Sequence, residues 1–435
     1  MLNELQNQLE KFFKVDKIVI NIINEIEKNL LPKFDAIEEI KTYNQFKVLH
    51  AMQNCKLGSG DFGWNTGYGY GDVGREKVER IYADIFKAES ALVRPSIASG
   101  THAISLVFSG ILRPGDELLY ITGSPYDTMQ KVIGIKGNEP GNLREFKIGY
   151  NQVDLVNGHI DIENTLKQIN HNTKIVAIQR STGYSDRNAI SITEMKYAIS
   201  EIKKTNPEIL LFIDNCYGEF TQTKEPIEIG ADIVAGSLIK NPGGGIAVSG
   251  GYIVGDKRYI DTIANRLTAP GLGKDCGLTF GTNRNTLQGL FYAPYVVAEA
   301  LKGAILMGEV YHKLGFETTP SINDERNDIV QAIKFDDPKK VIEFCKGIQE
   351  SGAVDSYVTP EAWDMPGYEN KVIMASAGFI EGSSIEISAD APLREPYYVY
   401  YQGGTNYAQC KLAVIKTVDN LYKKNLIDIN KVQVR

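Results

Sequence analysis

Between about residues 90 and 255 the chain alternates short apolar runs with helical segments, and this alternation restricts the fold more than any other feature. The runs are ALVRPSI, ELLYIT, KIVAIQ, ILLFID and DIVAGSL, with YIVGD as a further candidate strand. Continuous apolar character, without polar–apolar alternation, is what a strand shows when both of its faces are covered. Helices between such strands supply the covering layers, so the pattern predicts an α/β fold with a mostly parallel sheet. Around this block the sequence divides in three. Residues 1–75 read as helices followed by a glycine-rich loop, and 76–290 as the large α/β domain. Residues 291–435 read as a long helix, LFYAPYVVAEALKGAILMGEVYHKLG, leading into a smaller α/β domain. That domain is expected to hold strands in KVIMASAGFI, SSIEIS and YYVYYQ and a final helix near TNYAQCKLAVIKTVDNLYKK.

Composition removes several function classes. With 435 residues, 43% of them hydrophobic, the chain can bury full-sized cores. A formal net charge of −7 and the lack of any basic block argue against nucleic acid as a partner. The opening MLNELQNQLEKFF carries Glu4 and Glu10 among leucines at helical spacing, which reads as an amphipathic helix and not as a secretory signal. No stretch reads as long and apolar enough to cross a bilayer. The five cysteines, Cys55, Cys216, Cys276, Cys345 and Cys410, are scattered, and no two form a C-x-x-C pair, so neither a disulfide framework nor a metal cage is indicated. The expectation is a cytoplasmic protein acting on a small molecule.

GYGYGDVGR, residues 67–75, contains G-x-G-x-x-G at Gly69, Gly71 and Gly74, the spacing of a dinucleotide fingerprint. That fingerprint needs a buried strand running into its first glycine, and the preceding GDFGWNT is not one. SGTHAIS, residues 99–105, has the better context for an anion, with an apolar run before it and a helix after it. Ser99 reads as a helix cap, and the backbone amides of Gly100, Thr101 and His102 would face whatever lies at the helix start.

Two further segments join this one. Asp214 ends the apolar run ILLFID, where a buried carboxylate needs a cationic partner. In GSLIKNPGGG, Lys240 follows another apolar run, with Ser237 three residues before it. A lysine at the exit of a buried strand can have its pKa lowered and condense with an aldehyde. Pyridoxal 5′-phosphate unites the three features: its aldehyde takes Lys240, its ring nitrogen takes Asp214, and its phosphate takes the helix start and Ser237. Lys274, flanked by glycine and with no apolar run before it, is the competing lysine.

The order SGTHA, LRPGDELLYITGSPYDT, DNCYGEF and GSLIKNPGGG resembles the fold-type I pyridoxal-phosphate enzymes. QRSTGYSDR, RLTAPGLGKDCG, GLFYAPYVVAEALKGA and ADAPLREPYYVYYQGG extend the resemblance to the cysteine/methionine branch, within it to the group described as methionine γ-lyase-like, cystathionine β-lyase-like or aluminium-resistance proteins. The resemblance implies an aspartate-aminotransferase-like large domain, a small C-terminal domain, and a homodimer or a tetramer built from dimers. It implies that Tyr68 or Tyr70 and Arg75 reach a neighbouring subunit's cofactor phosphate, a purely structural arginine being the alternative. Tyr126, or else His102, would stack on the cofactor ring, with Tyr126 also assisting proton transfer. Arg394, or else Arg180, would grip the substrate α-carboxylate. The implied reaction is carbon–sulfur bond cleavage by β- or γ-elimination. Transamination, aldol cleavage and γ-replacement use the same residues, and a weakly catalytic stress-response protein is the non-enzyme alternative.

Overall fold

The computed structural model describes residues 2–365, 370–429 and 432. The chain forms two compact units, Thr42–Pro294 and Met1–Lys41 together with Tyr295–Arg435. Helices α1 (Leu2–Phe13), α2 (Lys17–Lys28) and α3 (Leu31–Asn54) come first, so the segment 1–75 is shared between the two units, which divide within α3. Asp16 caps α2 by accepting from the Ile18 amide, and Val19, Ile20, Ile23 and Ile26 form its buried stripe. Pro32 stands in the first turn of α3, where its missing N–H breaks no helical bond.

The larger unit continues through α4 (Val73–Phe86), β1 (Ser90–Arg94), α5 (Gly100–Ile111), β2 (Glu117–Tyr120), α6 (Asp127–Ile133) and β3 (Gly149–Gln152). It then runs through α7 (Ile162–Gln168), β4 (Thr173–Gln179), α8 (Ile192–Thr205), β5 (Leu210–Asp214), β6 (Ile233–Ser237), β7 (Gly251–Gly255) and α9 (Lys257–Leu267). The seven strands lie in the order β1-β7-β6-β5-β4-β2-β3. Neighbours from β6 to β3 are parallel, while β7 runs antiparallel to both β1 and β6. Each apolar run of the sequence is a strand, YIVGD included, and β5 and β6 are buried throughout. Helix α5 covers one face, where Ala103, Ile104, Val107 and Phe108 share a core with Phe212, Ala235 and Ile253. The Phe108 and Phe212 rings meet edge-on with centroids 5.3 Å apart.

Helix α10 (Asn283–Lys313) carries Pro294 and spans the division between the units. By length and composition it could cross a bilayer, contrary to the reading of the sequence, but 78% of its apolar window is buried inside the fold, the pattern of a core helix. The smaller unit adds β8 (Glu317–Thr319), β9 (Val330–Lys334), α11 (Pro338–Glu350), β10 (Val372–Ser376), β11 (Ser388–Pro392), β12 (Tyr398–Gln402) and α12 (Tyr407–Lys423). Its sheet has the order β10-β11-β12-β9-β8, every neighbour antiparallel. SSIEIS is not a strand; the pairing begins at Ser388 instead. The Glu386 carboxylate accepts from the amides of Phe379 and Ile380, which turns this segment back on itself before the strand starts.

Candidate active site

The ends of β4, β5 and β6 bring the sequence-predicted residues together. Asp214, the last residue of β5, pairs in register with Gln179 of β4 and Ala235 of β6. In open α/β sheets ligands bind beyond such carboxyl ends. Three residues past the end of β6, the chain reaches Lys240, whose ammonium lies 4.0 Å from the centroid of the Tyr217 ring. Burial alone would push Lys240 toward its neutral form, but Cys216, Tyr217, Asp214 and Tyr126 outweigh it and hold the pKa well above the usual lysine range. The lowering expected from the sequence is therefore reversed, because acidic groups and not cations surround the amine.

Asp214 is 4% exposed, and burial raises its pKa against the field of Lys240 and a hydrogen bond of 3.1 Å from the Cys216 amide to Oδ1. A carboxyl in this condition is short of positive charge, and a protonated ring nitrogen is the group that would supply it. Helix α5 begins beside it. Ser99 Oγ accepts from the His102 amide at 3.1 Å, and the amides of Gly100 and Thr101 precede that bond at the helix start. A Cβ on Gly100 would stand 3.2 Å from Cys216 Sγ and 3.4 Å from Ser237 Cβ, so the helix start, Ser237 and the turn after Asp214 touch. Amides, a hydroxyl and a positive helix end make a suitable cradle for a phosphate. The donor set therefore fits pyridoxal phosphate: Lys240 for the covalent link, Asp214 for the ring nitrogen, and Gly100, Thr101 and Ser237 for the phosphate.

Tyr126 sits partly buried at the start of α6. Its hydroxyl lies 3.0 Å from Thr101 Oγ1, its amide donates to Gln179 Oε1 at 3.2 Å, and burial with the Asp214 charge pushes its pKa well up. It therefore remains a phenol at neutral pH. The His102 Nδ1 accepts from the Ala98 amide at 3.0 Å, and burial lowers the ring's pKa, so it stands neutral with the proton on Nε2. Lys274 is held away from such a role: its ammonium binds Ala91 O at 2.7 Å, Ser90 Oγ at 3.0 Å and Glu79 Oε2 at 3.2 Å.

Arg75 and Arg180 occupy places that their sequence roles do not require. Arg75 is 2% exposed and donates to the carbonyls of Gly69 at 2.7 Å, Gly277 at 2.9 Å and Asp275 at 3.1 Å. It fastens the glycine loop to the 273–277 turn of its own chain, the structural alternative. Gly69 adopts φ 67° there, and a Cβ on it would stand 3.1 Å from Gly277 O. The loop follows a short turn and no strand, so the dinucleotide reading fails on geometry. Tyr68 and Tyr70 are 74% and 56% exposed, with ring centroids 5.5 Å apart. Arg180, fully buried, donates to Asn215 Oδ1 at 2.8 Å, Gly218 O at 2.9 Å and Thr221 Oγ1 at 3.2 Å, shaping the turn after β5. Arg394 is exposed in the connection of β11 to β12, in the other unit.

Sequence reasoning passed over what lies behind that turn. Glu219 is 0% exposed and accepts from the Tyr252 hydroxyl at 2.7 Å through Oε1, while Oε2 is enclosed without a hydrogen-bond partner. Asn241, next to Lys240, donates to the carbonyls of Tyr217 and Glu219, both at 3.0 Å. Tyr217 and Phe220 take φ values of 71° and 62°, rare for bulky residues; Asn241 binds the Tyr217 carbonyl, and the Phe220 amide donates to Glu225 Oε1 at 2.9 Å. The one signal in the sequence was a glutamate five residues after Asp214, in DNCYGEF.

Comparison with known proteins gives a consistent picture. The sequence model of a family described as methionine gamma-lyase matches residues 19–422. Protein YnbB of Bacillus subtilis (strain 168) is 47% identical over 405 residues, covering 93% of this chain and 96% of its own. The structure of a carbon-sulfur lyase involved in aluminum resistance from Clostridium novyi NT is 44% identical, with a TM-score of 0.91, covering 95% of this chain and 98% of that one. The pyridoxal-5′-phosphate-dependent protein YhfS from Escherichia coli, at 17% identity and a TM-score of 0.59, shares the fold over 89% of this chain and 97% of its own.

Proposed function

The chain belongs to the methionine gamma-lyase family, and on that premise we propose that it is a pyridoxal-phosphate-dependent carbon–sulfur lyase acting on a sulfur-containing amino acid. The observation that carries the proposal is the electrostatic coupling of Lys240 to a buried Asp214 of raised pKa, beside the close approach of Gly100 to Ser237. When bound, the cofactor supplies an electron sink for a carbanion at the substrate α-carbon. With the cofactor bound, Lys240 would be the base that takes the α-proton, and its cluster of acidic neighbours is suited to hold the resulting ammonium. Asp214 would keep the ring nitrogen protonated. Tyr126, a phenol hydrogen-bonded to Thr101, is the proposed donor of a proton to a departing thiolate. Because Arg180 is enclosed by its turn, Arg394 is the stronger candidate for the substrate carboxylate.

The proposed partner is a second copy of the chain, in a dimer or a dimer of dimers. Phe46, Trp64, Tyr68, Tyr70, Phe280 and Phe291 are all exposed in the larger unit. Backbone and side-chain bonds join their neighbourhoods, from the Gly277 amide to Tyr68 O at 2.9 Å, from Asn283 to Gly63 O at 3.3 Å and from Gln45 to Phe291 O at 3.0 Å. An aromatic surface of this kind suits a buried interface.

The test is release of keto acid and thiol from cystathionine, cysteine and methionine by the purified holoprotein. One or more should be cleaved, and Asp214→Asn should retain cofactor yet lose at least about a hundredfold in rate, close to 3 kcal/mol of barrier. Turnover of none of the three, or near-normal rates in Asp214→Asn, would count against the proposal.

A further inference from the structure

We propose that Glu219, held by Tyr252 on the sheet face opposite α5, is a positioning residue for Lys240: its carboxyl group adds to the electrostatic field in which the lysine holds its proton. The inference rests on the assignment of Lys240 as the cofactor-bearing lysine. Along β6, Ser237 faces Gly100 and α5, whereas Gly236 faces the other way, where a Cβ would stand 2.7 Å from Glu219 Oε1 and 2.6 Å from Tyr252 Cε1. The strand that delivers Lys240 therefore has the proposed phosphate cradle on one face and a carboxyl–phenol pair on the other.

Three observations make the pair more than core filling. A carboxyl group at 0% exposure is costly, and here one oxygen has a single phenol donor while the other is enclosed without a hydrogen-bond partner. The group is tied to the lysine segment, since Asn241 binds the backbone of Tyr217 and Glu219, and the Tyr217 ring lies beneath the Lys240 ammonium. Glu219 and Lys240 also feel each other's field: the lysine favours the ionised carboxyl, while burial pushes the Glu219 pKa up to about 8. Within reach of Glu219 are Tyr252 from β7, Tyr82 from α4, and Cys216 and Glu225 from its own connection. Around Lys240 stand Cys216, Tyr217, Asp214 and Tyr126. Asp214 acts on the lysine from the cofactor side, and Glu219 acts from behind. An ionised Glu219 raises the proton affinity of the amine, and a neutral one relaxes it.

The experiment compares Glu219→Gln and Tyr252→Phe with the wild type, all shown to be folded by circular dichroism. In the cofactor-free protein, Lys240 labelling by a small amine-selective acylating reagent is followed by peptide mass at pH 9, with surface lysines of the same digest as reference. Either variant weakens the negative field, so Lys240 should label about threefold faster or more, the change expected for half a unit of pKa. In the protein loaded with pyridoxal phosphate, the pH midpoint of the visible absorption change should move down in both variants. Tyr252→Phe removes only a hydroxyl and keeps the test available if Glu219→Gln does not fold. Labelling unchanged in the folded variants overturns the inference, as does faster labelling with an unmoved spectral midpoint, which would signal mere access. Should the wild type take up no cofactor on Lys240, the functional reading fails instead, and the labelling comparison still judges the electrostatic coupling.

Discussion

Glu219 shows how one side chain can couple the fold to pH. Its pKa is raised by burial from an ordinary 4.5 to about 8, so the folded protein prefers the protonated carboxyl. The unfolded chain releases that proton near the ordinary value, and the folded chain only near the raised one. The stability that protonated Glu219 contributes is thus fully present below pH 4.5 and is lost as pH rises toward 8. A glutamine at this place does not titrate. In the cofactor-free protein, Glu219→Gln should therefore gain stability relative to the wild type between pH 5 and pH 8, as read from urea unfolding midpoints at several pH values. A constant difference across that range would mean that Glu219 ionises as an ordinary carboxylate.

At the scale of elements, the strand ends decide which residues meet, and Gly236 on β6 shows how closely they pack. An added methyl would stand within 2.7 Å of both Tyr252 and Glu219, two buried side chains with little room to move. Gly236→Ala should destabilise the protein by about 1–3 kcal/mol in chemical unfolding, as overpacking of a core does; a loss below the error of the measurement would show that the pair can give way. The strands themselves were legible because their runs are continuous and apolar, and Asp214 and Lys240 were legible because charge at the exit of such a run is unusual. What could not be read was contact across the sheet. The bonds from Arg180 to Asn215, Gly218 and Thr221 and from Arg75 to Gly69, Asp275 and Gly277 join segments up to two hundred residues apart, and nothing in either arginine's local sequence announces them. SSIEIS failed for a related reason, since its alternation was genuine but Glu386 used it to close a loop.

For the molecule as a whole, the proposal is a site completed by a second chain. With Arg75 folded into its own subunit, the exposed Tyr68 and Tyr70 are the residues left to reach a partner. If they do so, a double Tyr68→Phe, Tyr70→Phe protomer and a Lys240→Ala protomer, each poorly active alone, should regain activity when exchanged into mixed dimers, because one site then has every residue. Exchange without recovery would place the tyrosines' role within their own chain. The lyase activity and the role of Glu219 both require that Lys240 be the residue that carries the cofactor. Borohydride reduction of the protein after incubation with pyridoxal phosphate, followed by peptide mass mapping, tests this most directly. The expected result is a single phosphopyridoxyl adduct on Lys240, absent from Lys240→Ala; an adduct on Lys274 or another lysine, with Lys240 unmodified, would overturn the assignment.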